Sequence, residues 1–287
     1  MYIYWLMIFM VSSSQAQVQT LKDFSYHKID NQFSPLLAAD IYIPDTNAAK
    51  PVVVFIHGGG WQIGDKDRVS HVNKRNFFLN HGFIFISVNY RLAPAVFYPV
   101  YPQDVARSIA FVFNWIGKFN GDPNNVFLMG HSAGAHLAAL VATDRRYLNE
   151  YNHQASKIKG VIVLDGAGYD IPALMDYHQQ QGNTSSIQTY QTAFGEDPLL
   201  WQEASPINYS YNNTAPFQLF YVAQREISQL MSESFAQELR QAGNSAQVIP
   251  VFNSSHPLIN SQFGAPEDIV SQQALEFIQN IMTKDTF

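Results

Sequence analysis

The residues with the clearest chemical potential are the run Gly130-His131-Ser132-Ala133-Gly134. A serine hydroxyl is a weak nucleophile near neutral pH. It needs a base within hydrogen-bond reach, a group that orients that base, and donors for the oxyanion that forms when it attacks a carbonyl. Gly-x-Ser-x-Gly suits such a nucleophile when it joins a strand to a helix, because the sharp turn projects the hydroxyl and the flanking glycines let neighbouring chain come close. Val126 to Met129 reads as that strand, and a helix reads on from Ala133.

Upstream, His57-Gly58-Gly59-Gly60-Trp61 follows the apolar run Pro51 to Ile56. Three glycines in a row expose backbone N–H groups, so Gly58, Gly59 and Gly60 join Ala133 as candidate oxyanion donors, with Gly59 first among the glycines. Removing one such donor costs on the order of 3 kcal/mol of transition-state stabilisation. The base has to follow the nucleophile in this chain order, and His256, in Asn253-Ser254-Ser255-His256-Pro257, directly follows the last β-rich run. The turn after Phe217 to Val222 holds one carboxylate, Glu226, which is the first choice for the acid that orients His256; Asp165 and Asp170, after the preceding run, are the alternatives. His131 and His136 flank Ser132 without a carboxylate at ligand spacing, so they read as packing residues and no metal site is expected.

The elements that must position these groups alternate along the chain. Residues 51–56, 83–88, 126–129, 158–164, 217–222 and 247–252 are short, nearly continuous apolar runs of the kind buried on both faces of a parallel sheet. Between them lie helical stretches, most plainly Gln103 to Phe119, where Val105, Ile109, Val112, Phe113 and Ile116 recur at three- and four-residue spacing. Ala133 to Thr143, Met231 to Ala242 and Glu267 to Met282 repeat the pattern. Ahead of them, Phe24 to Asp30 and Leu37 to Ile43 read as an antiparallel pair at the sheet edge, and strand–helix alternation implies a mostly parallel sheet wrapped on both faces. Tyr169 to Ala215 interrupts the alternation with a Gln-, Asn-, Ser- and Tyr-rich stretch, which reads as a cap-like insertion over one end of the sheet.

With 287 residues the chain suits one large domain, here residues 17–287. Its formal net charge of -6, without a block of Lys and Arg, excludes the electrostatic footprint of a nucleic-acid binder. Cysteine is absent, which removes disulfide, thiolate-metal and cysteine-nucleophile chemistry. Tyr2 to Val11 is apolar and is followed by small residues at Ser14 and Ala16, so residues 1–16 are expected to be a signal peptide and the protein to be exported, periplasmic or extracellular. The run falls short of the roughly 20 apolar residues of a spanning helix, and no stable membrane insertion is expected.

Together these motifs, with Val88-Asn89-Tyr90-Arg91-Leu92, Gly121-Asp122-Pro123, Ala135-His136-Leu137, Ala204-Ser205-Pro206 and Ile259-Asn260, resemble the esterases of the α/β-hydrolase fold over about residues 38–282. The group is the one related to hormone-sensitive lipase, kynurenine formamidase and feruloyl esterase; His131 and Ala135-His136 look more like the formamidase and feruloyl-esterase branch. The resemblance implies hydrolysis of a small-molecule carboxylic ester through an acyl-enzyme, with Ser132, His256 and Glu226 as triad and no cofactor. The turn Ala223-Gln224 departs from it, since the family usually carries glycine before the acid. Short-chain or aromatic esters are the expected substrates. An arylformamidase or other amidase using the same triad is the second reading, and a non-catalytic binding protein on a hydrolase scaffold the third.

Overall fold

A computed structural model describes residues 18–46 and 48–284; the expected signal peptide lies outside the described residues. The strands are β1 (Gln19–Ser25), β2 (Lys28–Ile29), β3 (Gln32–Phe33), β4 (Ala38–Ile43), β5 (Lys50–Ile56), β6 (Ile84–Val88), β7 (Gly121–His131), β8 (Ile158–Leu164), β9 (Phe217–Val222) and β10 (Ala246–Val251). The helices are α1 (Val72–Asn80), α2 (Val100–Trp115), α3 (Ala133–Thr143), α4 (Arg145–Asn149), α5 (Ile171–Gln180), α6 (Thr184–Phe194), α7 (Pro198–Glu203), α8 (Glu226–Gln241), α9 (His256–Ser261) and α10 (Ile269–Lys284).

Eight strands form one sheet in the order β1-β4-β6-β5-β7-β8-β9-β10. β4 runs antiparallel to both β1 and β6, and every pair from β6 to β10 is parallel. The inner strands, such as β5, β6, β8 and β9, are buried on both faces, and side-chain alternation along each strand divides the core accordingly. On β5, Val52, Val54 and Ile56 pack with α2, α3 and α8, while Val53 and Phe55 pack with α1 and α10. Both faces therefore need apolar residues at successive positions, which is why these strands read as unbroken runs.

The expected edge pair exists with its first strand displaced toward the N-terminus. β1 begins at Gln19 rather than Phe24, and Asp23, with φ 52°, lies at the register shift between Leu21 and Phe24. Of the residues expected to continue that strand, Lys28 and Ile29 form β2 of the small β2–β3 hairpin, whose turn Asp30-Asn31 has positive φ at both positions. Such a turn matches the twist of a two-residue hairpin and favours Asn and Asp.

The stretch from Tyr169 to Ala215 folds as α5, α6 and α7 between β8 and β9. Each of these helices is capped by a side chain that accepts from its first turn: Asp170 from Ala173 N, Asn183 from Ser186 N and Asp197 from Leu199 N. Capping compensates for the thin apolar face that hides these helices from periodicity. After β5 the chain adds β6 on one side and then returns to add β7 on the other, so the crevice at the carboxyl ends of β5 and β7 is the switch point where ligands bind in open α/β sheets.

Candidate active site

Ser132 occupies that crevice. It joins β7 to α3 with φ 55° and ψ -122°, a sparsely populated conformation for a residue with a side chain. The surrounding packing enforces it: a Cβ on Gly130 would lie 2.2 Å from Gly134 O, and one on Gly134 would lie 2.1 Å from Ile56 O. Ser132 N donates to Leu164 O at 3.0 Å, which ties the turn to the end of β8.

His256 is the first residue of α9, whose preceding Ser255 accepts from Leu258 N. Its Nε2 lies 3.0 Å from Ser132 Oγ, and its Nδ1 lies 2.6 Å from Asp165 Oδ2. The carboxylate on the imidazole is thus Asp165, at the end of β8, which corrects the sequence expectation of Glu226. Glu226 is exposed, opens α8 and accepts a hydrogen bond from the Tyr177 hydroxyl at 2.9 Å. A carboxylate at a helix N-terminus is stabilised by the N–H groups and dipole there, and this one faces α5 rather than the base. Asp170, the other alternative, caps α5.

Asp165 is fully buried. Its Oδ1 accepts from Val222 N at 3.0 Å, and its Oδ2 accepts from both His256 Nδ1 and Arg225 Nη1. Burial alone would push this carboxyl up, but the hydrogen bond from His256, the Arg225 charge and the Val222 N–H outweigh it and hold the group well below the usual carboxylate range. Arg225 Nη1 also approaches His256 Nδ1 to 2.8 Å. With the imidazole proton on Nδ1, as donation to Asp165 requires, the two donors converge on one carboxylate oxygen.

The glycine loop after β5 wraps the other side of Ser132. Gly58 backs onto the nucleophile turn, where an added Cβ would lie 2.7 Å from His131 O and 3.0 Å from Ser132 Cβ. Gly59 closes the turn, its carbonyl accepting from Gln62 N and Ile63 N at 3.1 and 3.0 Å. Gly60 and Ala133 line the cleft beside Ser132. Ala133 is the first residue of α3, a position whose N–H has no partner within the helix. The His57 ring stacks on Tyr90 at 4.5 Å, and the Tyr90 hydroxyl donates to His57 O, so the buried pair fixes the start of the loop.

Neighbouring histidines are structural. His131 donates from Nε2 to His256 O at 2.8 Å, and His136 donates from Nε2 to Ala204 O at 2.8 Å. Burial, and then the nearby His256, lowers His131 to about 3; burial lowers His136 to about 4. Both rings are therefore neutral across the physiological range.

The cleft over Ser132 has a volume of about 210 Å³. Its walls include Trp61, Tyr190, His178 and Arg225, and α6 adds Ser186 and Thr189. Trp61 packs edge-on against Tyr190 and Phe194 at 5.0 and 4.8 Å, which joins the glycine loop to the inserted helices. His178 on α5 and Ser186, Thr189 and Tyr190 on α6 belong to no sequence motif, and only their position on the inserted helices brings them to the cleft.

The chain is similar to a probable isoprenylcysteine alpha-carbonyl methylesterase of Arabidopsis thaliana, at 30% identity over 230 residues, covering 76% of this chain and 48% of that protein. It is also similar to the kynurenine formamidase of Danio rerio, at 31% identity over 167 residues, covering 57% of this chain and 52% of the relative. The chain thus spans about half the length of these curated relatives. Among solved structures, esterase B from Lactobacillus rhamnosis superposes with a TM-score of 0.76 at 21% identity, covering 93% of this chain and 87% of that one, and it shares the α/β-hydrolase fold. The BD-FAE family matches residues 39–239, a span that takes in the glycine loop, Ser132, Asp165 and Arg225; the chain belongs to the BD-FAE family.

Proposed function

We propose that this protein is a carboxylic ester hydrolase that works through an acyl-enzyme on Ser132, with His256 as base and Asp165 as the orienting acid. The observation that carries the reading is the continuous path from Ser132 Oγ to His256 Nε2 at 3.0 Å and from His256 Nδ1 to Asp165 Oδ2 at 2.6 Å. His256 takes the hydroxyl proton as Oγ attacks the ester carbonyl, and Asp165 stabilises the imidazolium that results. The Ala133 N–H and the glycine loop at Gly59 and Gly60 receive the oxyanion. Collapse of the tetrahedral intermediate expels the alcohol, which takes the proton from His256; water then repeats the sequence on the acyl-enzyme and releases the acid.

Short-chain or compact aromatic acyl groups suit the cleft, whose volume of about 210 Å³ is below the range of roughly 300–1,000 Å³ typical of sites for drug-sized ligands. Formamide cleavage by the same three groups is the second reading, favoured by the formamidase relative. Export to the periplasm or beyond the cell is supported by the apolar run from Tyr2 to Val11 and the small residues at Ser14 and Ala16.

Turnover of p-nitrophenyl acetate, butyrate and decanoate and of N-formylkynurenine, alongside fluorophosphonate labelling of wild type and Ser132→Ala, tests the reading. Acetate or butyrate turnover above decanoate, with labelling lost in Ser132→Ala, is expected. Formamide turnover far above every ester replaces the esterase reading with the second one. An unlabelled, inactive wild type removes both.

A further inference from the structure

The cleft contains one charged pair whose two ends differ in solvent access. Asp165 is 0% exposed, whereas the Arg225 side chain is 32% exposed and lines the cleft. Every side-chain hydrogen bond of Arg225 among the described residues runs through Nη1 to Asp165, and the same nitrogen lies beside His256 Nδ1. The Nε and Nη2 donors of the fork are not engaged in those contacts. Asp165 and Arg225 are the only Asp, Glu, Lys or Arg side chains on the described cleft wall, and Glu226 beside them is held by Tyr177 outside it. His178, on the same wall, is pushed down by burial and by the Arg225 charge. A substrate entering this cleft therefore meets the positive end of the pair, with the negative end behind it.

Resting on the esterase reading above, we propose that Arg225 is a specificity-determining residue that binds an anionic substituent, a carboxylate in the first instance, on the substrate ester. The guanidinium fork matches a carboxylate in shape and offers parallel donors to it, and the partly enclosed cleft strengthens the contact relative to bulk water. Position supports the same assignment. Nη1 lies 2.8 Å from His256 Nδ1, and Nε2 of that ring lies 3.0 Å from Ser132 Oγ, so the cation is one imidazole ring from the nucleophile. About two or three methylenes, at ~1.5 Å per C–C bond, bridge such a gap between a reacting carbonyl and a carboxylate. Ser186 and Thr189 on α6 add neutral polar groups to the cleft lining.

The test compares matched pairs of esters that differ in charge. On the acyl side these are p-nitrophenyl hemisuccinate and its methyl ester; on the alcohol side, 4-acetoxybenzoate and its methyl ester. Wild type is expected to give kcat/KM at least about tenfold higher for the charged member of one pair, carried mainly by KM. Arg225→Gln should bring that ratio to about one or below, and Arg225→Lys should restore part of it. The ratio within one enzyme divides out any loss that Arg225→Gln causes through Asp165. Wild-type inhibition by succinate measured against dimethyl succinate gives the same comparison without a variant, with succinate expected to inhibit more strongly. Neutral esters cleaved with no charge preference in either pair would overturn the proposal and leave the esterase reading standing. A preference that survives in Arg225→Gln would assign it to another group, and cleavage of no ester at all would remove the underlying function.

Discussion

The turn after β8 and the turn after β9 leave the sheet side by side, since Val163 pairs with Leu219 and Leu164 with Phe220. Both present ionisable side chains at the carboxyl edge near His256. After β8 the chain enters a positive φ of 50° at Asp165, a conformation that Asp tolerates better than most residues, and the carboxylate folds inward. After β9 the chain runs through Ala223 and Gln224 into α8, so Glu226 falls on the first turn of a helix and points to Tyr177. The end of β9 contributes by donating Val222 N to Asp165 and by placing Arg225 on the same oxygen as His256. One turn supplies the acid and its neighbour supplies the donors that keep it ionised, so adjacency in the sheet decides the role more than order in the chain.

Asp165→Asn gives the largest effect that separates the two turns. An amide in place of the carboxylate favours the wrong imidazole tautomer, and kcat on a short-chain ester should fall on the order of 10⁴-fold with a smaller change in KM. Steady-state kinetics on purified, folded variant check this. A loss of only a few-fold would move the orienting role away from β8.

The same substitution should separate the turns in stability. Removing the buried partner of Arg225 costs about 3 kcal/mol, the lower end of the range for a buried ion pair, because the guanidinium is partly solvated. The pH dependence has a definite sign. Asp165 titrates lower in the folded protein than in the unfolded chain, so its stabilisation is fully present above the unfolded carboxylate value, about 3.9, and is lost as pH falls toward the folded value. Thermal unfolding of wild type and Asp165→Asn should therefore show a gap in Tm that is steady from about pH 5 to 7 and narrows below about pH 4. A gap that is independent of pH would mean the carboxylate charge is not what matters there.

Much of this arrangement was legible before the structure. Ser132 stood out because its motif coincides with a change of period from strand to helix, and His256 because a single histidine follows the last strand. The parallel core strands were legible because two-sided burial demands unbroken apolar runs. The acid was not, because three carboxylates follow β8 or β9 and their chemistry in sequence is alike. Backbone direction separates them: Asp165 turns inward at positive φ, Asp170 caps α5 and Glu226 opens α8. The inserted helices lacked a strong period for a related reason. α7 buries none of its residues and α6 buries only Tyr190, Ala193 and Phe194, so caps define both, with contacts to Trp61 for α6, more than an apolar stripe does.

Glu226→Gln is the smallest effect and the sharpest control on the comparison. Glutamine keeps the length and an acceptor for the Tyr177 hydroxyl but removes the charge at the N-terminus of α8, so stability should fall by about 0.3–1 kcal/mol. Catalysis should stay within about twofold of wild type, because no bond from this side chain reaches His256 or Asp165 and surface changes away from a site have small effects. Tyr177→Phe removes outright the hydrogen bond that Glu226→Gln only weakens by taking away its charge, and the double variant should lose less stability than the two single losses combined, as groups in direct contact do. Unfolding curves of wild type and the three variants, with one kinetic assay, decide it. If Glu226→Gln lowers kcat tenfold or more while Asp165→Asn leaves it intact, the two turns exchange roles and the acid belongs to β9.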